Sequence, residues 1–73
     1  MPRKNKNQKR AELAVKAVRT LPDFDKEVGV TRENIVDVIV NLLHLARMHK
    51  MDPDSVITTA NDHFEAEESG RDG

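Results

Sequence analysis

Sixteen consecutive residues, Glu33–Met48 (ENIVDVIVNLLHLARM), carry ten Ile, Val, Leu, Ala or Met side chains, and no other stretch of the chain is as apolar. On a wheel turning 100° per residue, Ile35, Val36, Val38, Ile39, Leu42, Leu43, Leu45 and Ala46 fill one arc, roughly 180° wide. Asn34, Asp37, Asn41 and His44 occupy the opposite arc, with Val40 and Met48 intruding. A helix that packs on a single neighbour needs a stripe of only about 100°. This helix therefore needs apolar neighbours on two sides. Strand-like alternation is absent and the run exceeds an ordinary strand. Asn, Asp and His inside so short a run argue against a membrane span. Thr31 stands where an N-cap belongs, and Glu33 lies near the positive end of the helix dipole.

The flanking segments read as two shorter helices. Ala11, Ala14, Val15, Val18 and Leu21 recur at helical spacing, with Leu13 and Ala17 beside them, which predicts a first helix over about 9–20. Glu12 and Lys16 form a supporting i, i+4 pair. Pro22 ends this helix and Gly29 marks a turn within the connector Leu21–Val30, where Phe24 is expected to plug one end of a bundle. The central helix is predicted over about 32–50. Asp52-Pro53-Asp54 is a helix start signal, with the cap, the first-position proline and the first-turn acid in order. It opens a third helix over about 53–67, with Val56, Ile57, Ala60 and Phe64 on one face. Residues 1–8 form a polar, basic arm expected to be disordered, 9–68 a single helical domain, and 69–73 a disordered tail. The predicted class is all-α.

Seventy-three residues with two aromatics and no cysteine make a small core without disulfide or thiolate–metal staples. A single core of this size rarely supplies more than about 3–5 kcal/mol. Closure against a second copy is the expected remedy, giving a homodimeric helical bundle. The residues expected in that core or dimer seam are Ile35, Val38, Ile39, Leu42, Leu43, Leu45, Ala46, Val56, Ala60 and Phe64. No long apolar run follows the basic Met1–Arg10, so no secretion leader is expected. The chain reads as cytoplasmic, with no membrane partner.

The net charge of −1 conceals an asymmetry: residues 1–19 hold seven Lys/Arg and one Glu (+6), and residues 20–73 hold five Lys/Arg and twelve Asp/Glu (−7). A basic lead on an acidic body suits nucleic acid, an acidic protein surface, or a second copy of the chain. Arg3, Lys4, Lys6, Lys9 and Arg10 are the candidate contacts for such a partner.

Constellations for chemistry are weak. Asp23, Asp25 and Glu27 alternate, but lack the length, internal glycine and closing glutamate of a calcium loop. His44 and His49 diverge on a helix by about 140° and cannot chelate together. His44 shares a polar stripe with Asp37 and Asn41, which reads first as a solvated face. No cysteine nucleophile, serine–histidine pair or phosphate-cradling loop is present. No catalytic residue, metal ligand or cofactor is expected.

Three resemblances bear on function. Leu45–Asn61 resembles helix-turn-helix DNA readers, with its turn at Lys50-Met51 and a second helix opening at Asp52. Lys50 stands where such turns usually place glycine, and Asp54, Asp62, Glu65, Glu67 and Glu68 make the would-be recognition helix repel phosphates. Leu13–Glu68 is similar to short all-helical proteins of phages, plasmids and bacterial genomes with DLLxDLxH and HYEAE-like segments. The matching residues are Asp37-Val38-Ile39-Val40-Asn41-Leu42-Leu43-His44, Met51-Asp52, and His63-Phe64-Glu65-Ala66-Glu67. That resemblance implies an accessory protein and no particular activity. Asn34–Phe64 resembles the later half of MazG-type nucleotide pyrophosphohydrolases, all-α oligomers that hold magnesium with ExxE and ExxD pairs. Asn34-Ile35-Val36-Asp37 falls at the ExxD position with one carboxylate replaced, and the first helix has Glu12 without a partner glutamate at ExxE spacing. The expected function is a non-enzymatic helical protein that binds another macromolecule, as a phage or mobile-element accessory. The alternatives are a DNA-associated regulator and a degenerate pyrophosphohydrolase.

Overall fold

A computed structural model of the chain describes residues 5–70. Its order is α1 (Lys6–Arg19), α2 (Arg32–Met48) and α3 (Pro53–Glu68), with no strand among the described residues. The protein is all-α. The chain divides into two compact units, Met1–Val40 and Asn41–Gly73, the boundary falling inside α2.

In the first unit, α1 begins three residues before the predicted start. Lys6, Asn7 and Gln8, expected in a disordered arm, form its first turn. The cause is a capping box at Asn5. Its carboxamide oxygen accepts from the Gln8 N–H at 2.7 Å, and the Gln8 side chain accepts from the Asn5 N–H at 2.9 Å. Two N–H groups that a helix start leaves without partners are thereby satisfied. The other end of α1 closes at Thr20, whose hydroxyl donates to the Ala17 carbonyl at 2.7 Å. Between α1 and α2, Asp25 organises a tight turn. Its carboxylate accepts from the Glu27 N–H at 2.9 Å, its carbonyl from the Gly29 N–H at 2.9 Å, and Gly29 takes φ +86°.

A second capping box starts α2. Thr31 Oγ1 accepts from the Asn34 N–H at 3.1 Å, and Asn34 Oδ1 accepts from the Thr31 N–H at 3.0 Å. The third helical position usually carries Glu or Gln; here the shorter Asn reaches back. Thr31 caps as the sequence implies. Asn34 does not lie on a solvated polar face, however: it is only 6% exposed. With Val18, 4% exposed, it forms the buried centre of this unit, and Val15, Leu21, Phe24 and Val38 are half-buried.

In the second unit, α2 ends at Met48 rather than Lys50. Lys50 adopts φ +62°, its N–H donates to the Arg47 carbonyl at 3.0 Å, and the Met51 N–H donates to the Ala46 carbonyl at 2.9 Å. This pair of bonds is a Schellman ending, whose left-handed position favours glycine because an L side chain crowds the following carbonyl. Asp52 then caps α3, accepting from the Asp54 N–H at 3.2 Å, with Pro53 in the first turn. Ser69 and Gly70 close α3, Gly70 at φ +76°. Ala46, 7% exposed, is the buried residue of this unit, and Leu43, Pro53, Ala66 and Glu67 are half-buried. Alpha-3 buries no residue at all.

Two stability outcomes follow from the caps. Lys50→Gly should raise the chemical-denaturation midpoint by the equivalent of about 0.5–1 kcal/mol, because it relieves the left-handed lysine against a small entropy cost. Lys50→Val should lower it by a similar amount. Asn34→Ala should cost about 1–2 kcal/mol, since it strips the partner from the Thr31 N–H at a buried position. An unchanged midpoint for Asn34→Ala would mean that the α2 cap contributes nothing.

Candidate interaction surface

The ten residues expected in a core or dimer seam separate by burial. Ala46 is buried; Val38 and Leu43 are half-buried; Ile35, Ile39, Leu42, Leu45, Val56, Ala60 and Phe64 are exposed. The helical pattern places each of these side chains, but their own chain covers few of them. Met48 is 78% exposed, Phe64 59% and Leu13 66%. Full burial of one such side chain would be worth about 1.5–3 kcal/mol.

Along α3, Val56, Ala60 and Phe64 recur at i, i+4 and i+8, with Ile57 beside them. Together with Ser55, Thr59, His63 and Glu67, three of these (Val56, Ala60 and Phe64) border a shallow open surface of about 550 Å³ formed by that helix alone. The polar side of α3 is occupied with local bonds. Thr58 donates to the Asp54 carbonyl at 3.0 Å, and the Asn61 amide donates to Glu65 Oε1 at 3.4 Å. These two residues would have to read bases if α3 were a recognition helix.

A larger cleft of about 960 Å³ lies in the first unit. Val15, Pro22, Phe24 and Val30 supply its apolar lining, and Arg19, Asp23, Asp25 and Lys26 its charged groups. Phe24 thus lines an open cleft and is half-buried. Among the charged groups, Asp25 already serves the turn, and the mixture of two cations with two anions favours no single ligand charge. Sequence reasoning did not anticipate this cleft, because its lining combines α1 with a connector whose path depends on the turns at Pro22, Asp25 and Gly29.

Of the basic candidates, Lys6, Lys9 and Arg10 lie on α1, and Arg10 Nη1 donates to Asn7 Oδ1 at 2.7 Å. Arg3 and Lys4 lie outside the described residues. Asp37, Asn41 and His44 are all exposed. No group of three or more His, Asp or Glu among the described residues is arranged to hold a metal ion. No helix among them is long and apolar enough to cross a membrane. No family model, curated protein or solved structure matches the chain.

The helices thus combine exposed apolar faces with opposite charges on α1 and α3. Alpha-1 carries Lys6, Lys9, Arg10, Lys16 and Arg19 against Glu12, a net +4; α3 carries Asp54, Asp62, Glu65, Glu67 and Glu68 with no Lys or Arg, a net −5. Phe64→Ala should lower the monomer's own stability by less than about 1 kcal/mol. The lost contacts of an exposed ring are few, whereas truncation of a buried Phe costs about 3–5 kcal/mol. A dilute-solution thermal melt checks this, and a loss on the buried scale would place Phe64 in a core of the single chain.

Proposed function

We propose that this chain is a non-enzymatic helical binding module that uses its exposed apolar faces to engage another macromolecule, as part of a homodimer. The observation that carries the reading is α3: sixteen residues, capped at both ends, with an apolar stripe and no buried residue. Helices in proteins owe most of their stability to the packing of an amphipathic face rather than to propensity. A stripe kept at helical spacing without burial in its own chain fits a surface that another molecule covers.

Two observations weigh against catalysis. Asn34, the residue at the carboxylate position of a pyrophosphohydrolase-like ExxD pair, spends its side chain on the Thr31 cap. Asp37 is exposed, and magnesium held against phosphates needs clustered carboxylates. The likeness to short phage and plasmid proteins fits an accessory or regulatory role in a mobile element, acting in the cytoplasm.

A second reading, contact with nucleic acid, is favoured by the first turns of α1, where Lys6, Lys9 and Arg10 lie with no acid in the first turn. Binding of that kind would be sequence-tolerant and steeply salt-dependent. Alpha-3 does not share in it, since its net charge is negative and Thr58 and Asn61 are engaged in their own helix.

Affinity capture from lysate of the native host, with wild type beside Phe64→Asp and Ile39→Asp, tests the first reading. Specific retention of a defined protein by wild type, lost in both variants, is the expected result. Equal retention by all three would contradict it. Magnesium-dependent pyrophosphate release from nucleoside triphosphates, abolished by Asp37→Asn, would instead establish an enzyme.

A further inference from the structure

We infer that a second copy of this chain covers α3, with the basic N-terminal half of one copy's α1 lying antiparallel to the acidic C-terminal half of the partner's α3. The inference rests on the reading that the apolar faces bind a macromolecule, and it names the occupant.

Helix electrostatics give the first observation. A helix carries partial positive charge at its N-terminus and partial negative charge at its C-terminus, so acids suit the start and bases the end. Alpha-1 has no acid in its first turn and opens with Lys6 and Lys9; α3 has no base in its last turn and closes with Glu65, Glu67 and Glu68. Both ends are charged against their own dipoles. The two mismatches are opposite in sign, so the two ends attract each other. A symmetric dimer makes the contact twice, and the net +4 of α1 and −5 of α3 oppose each other both times.

Apolar surface gives the second. Alpha-3 presents Val56, Ile57, Ala60 and Phe64, while α1 presents Leu13 with the small Ala14 and Ala17, all exposed. Alanines on one helix allow its backbone to approach the larger side chains of the other. Eleven large apolar side chains on the three helices are exposed. Four of them, Leu13, Val56, Ile57 and Phe64, lie on α1 and α3 and belong to the α1–α3 contact. A copy of this chain thus brings both an apolar helix face and the opposite charge.

The test uses two full-length variants, Lys6→Glu/Lys9→Glu/Glu65→Lys/Glu68→Lys split by sign: one carries Lys6→Glu with Lys9→Glu, the other Glu65→Lys with Glu68→Lys. Each pair of changes improves the match of its helix end with the dipole, which offsets the loss of the exposed Asn61–Glu65 bond in the second variant. Sedimentation equilibrium at low ionic strength, where charge contacts are least screened, should show wild type at twice the 8.3 kDa chain mass. Each variant alone should dimerise roughly tenfold or more weakly, because acid now faces acid or base faces base across the symmetric contact. Mixing the two should restore the dimer, since one of the two contacts in the mixed pair is charge-matched in reversed polarity and the other keeps its native charges. Circular dichroism should confirm undiminished helix in both. A wild type that stays at monomer mass, variants that dimerise as wild type does, or a mixture no tighter than its components would each overturn the inference. A monomer that still retains a specific host protein removes the dimer and keeps the binding reading; a dimer that retains none keeps the pairing and removes the external target.

Discussion

A helix with an apolar stripe and nothing of its own chain buried beneath it depends on what covers that stripe. Alpha-3 is in this position, and much of the molecule can be understood from it. Its ends are secured locally, by Asp52 at the start and Ser69 with Gly70 at the finish. Caps of this kind are worth about 1 kcal/mol each, enough to define where a helix begins and ends but not to hold it in water. The remaining stabilisation has to come from contact, and the contact available inside Asn41–Gly73 centres on Ala46 and the half-buried Leu43. The same imbalance, milder, holds in Met1–Val40, where Val18 and Asn34 are buried while Ile35 and Ile39 stay exposed.

Capping carries an unusual share of the organisation. Asn5 with Gln8, Thr31 with Asn34, and Asp52 with Asp54 each convert local sequence into a defined helix start. Lys50 shows the opposite economy: a left-handed lysine is tolerated because the bonds from Lys50 and Met51 to the last turn of α2 fix the ending. These devices set element lengths without a large core. Were such a chain to associate, its helices would already be delimited, and less ordering would oppose binding.

Much of this was legible in the residues. The 3.6-residue period of Ile35 to Ala46 and the Asp52-Pro53 signal locate α2 and α3 closely, because periodicity and start chemistry are local. Three features escaped. The Asn5–Gln8 box was missed because the basic run around it reads as solvated arm, and that composition masked a reciprocal pair spaced as a cap. Asn34 was assigned to a polar face because a wheel records direction and not the reach of a side chain back to Thr31. The cleft around Phe24 depends on the non-local path of the connector, to which no periodic pattern corresponds. For the candidate surface, the pattern names the apolar residues but not which of them the chain covers by itself; burial alone separates Ala46 from Leu45, its neighbour in sequence.

Amide hydrogen exchange across α3 as a function of protein concentration tests the central claim most directly. If a second copy covers the Val56–Phe64 stripe, protection there falls steadily on dilution, while the capped turns around Thr31 and Asn34 keep theirs. Protection of α3 that stays high and independent of concentration would contradict the claim, for it would mean that the helix is held by its own chain.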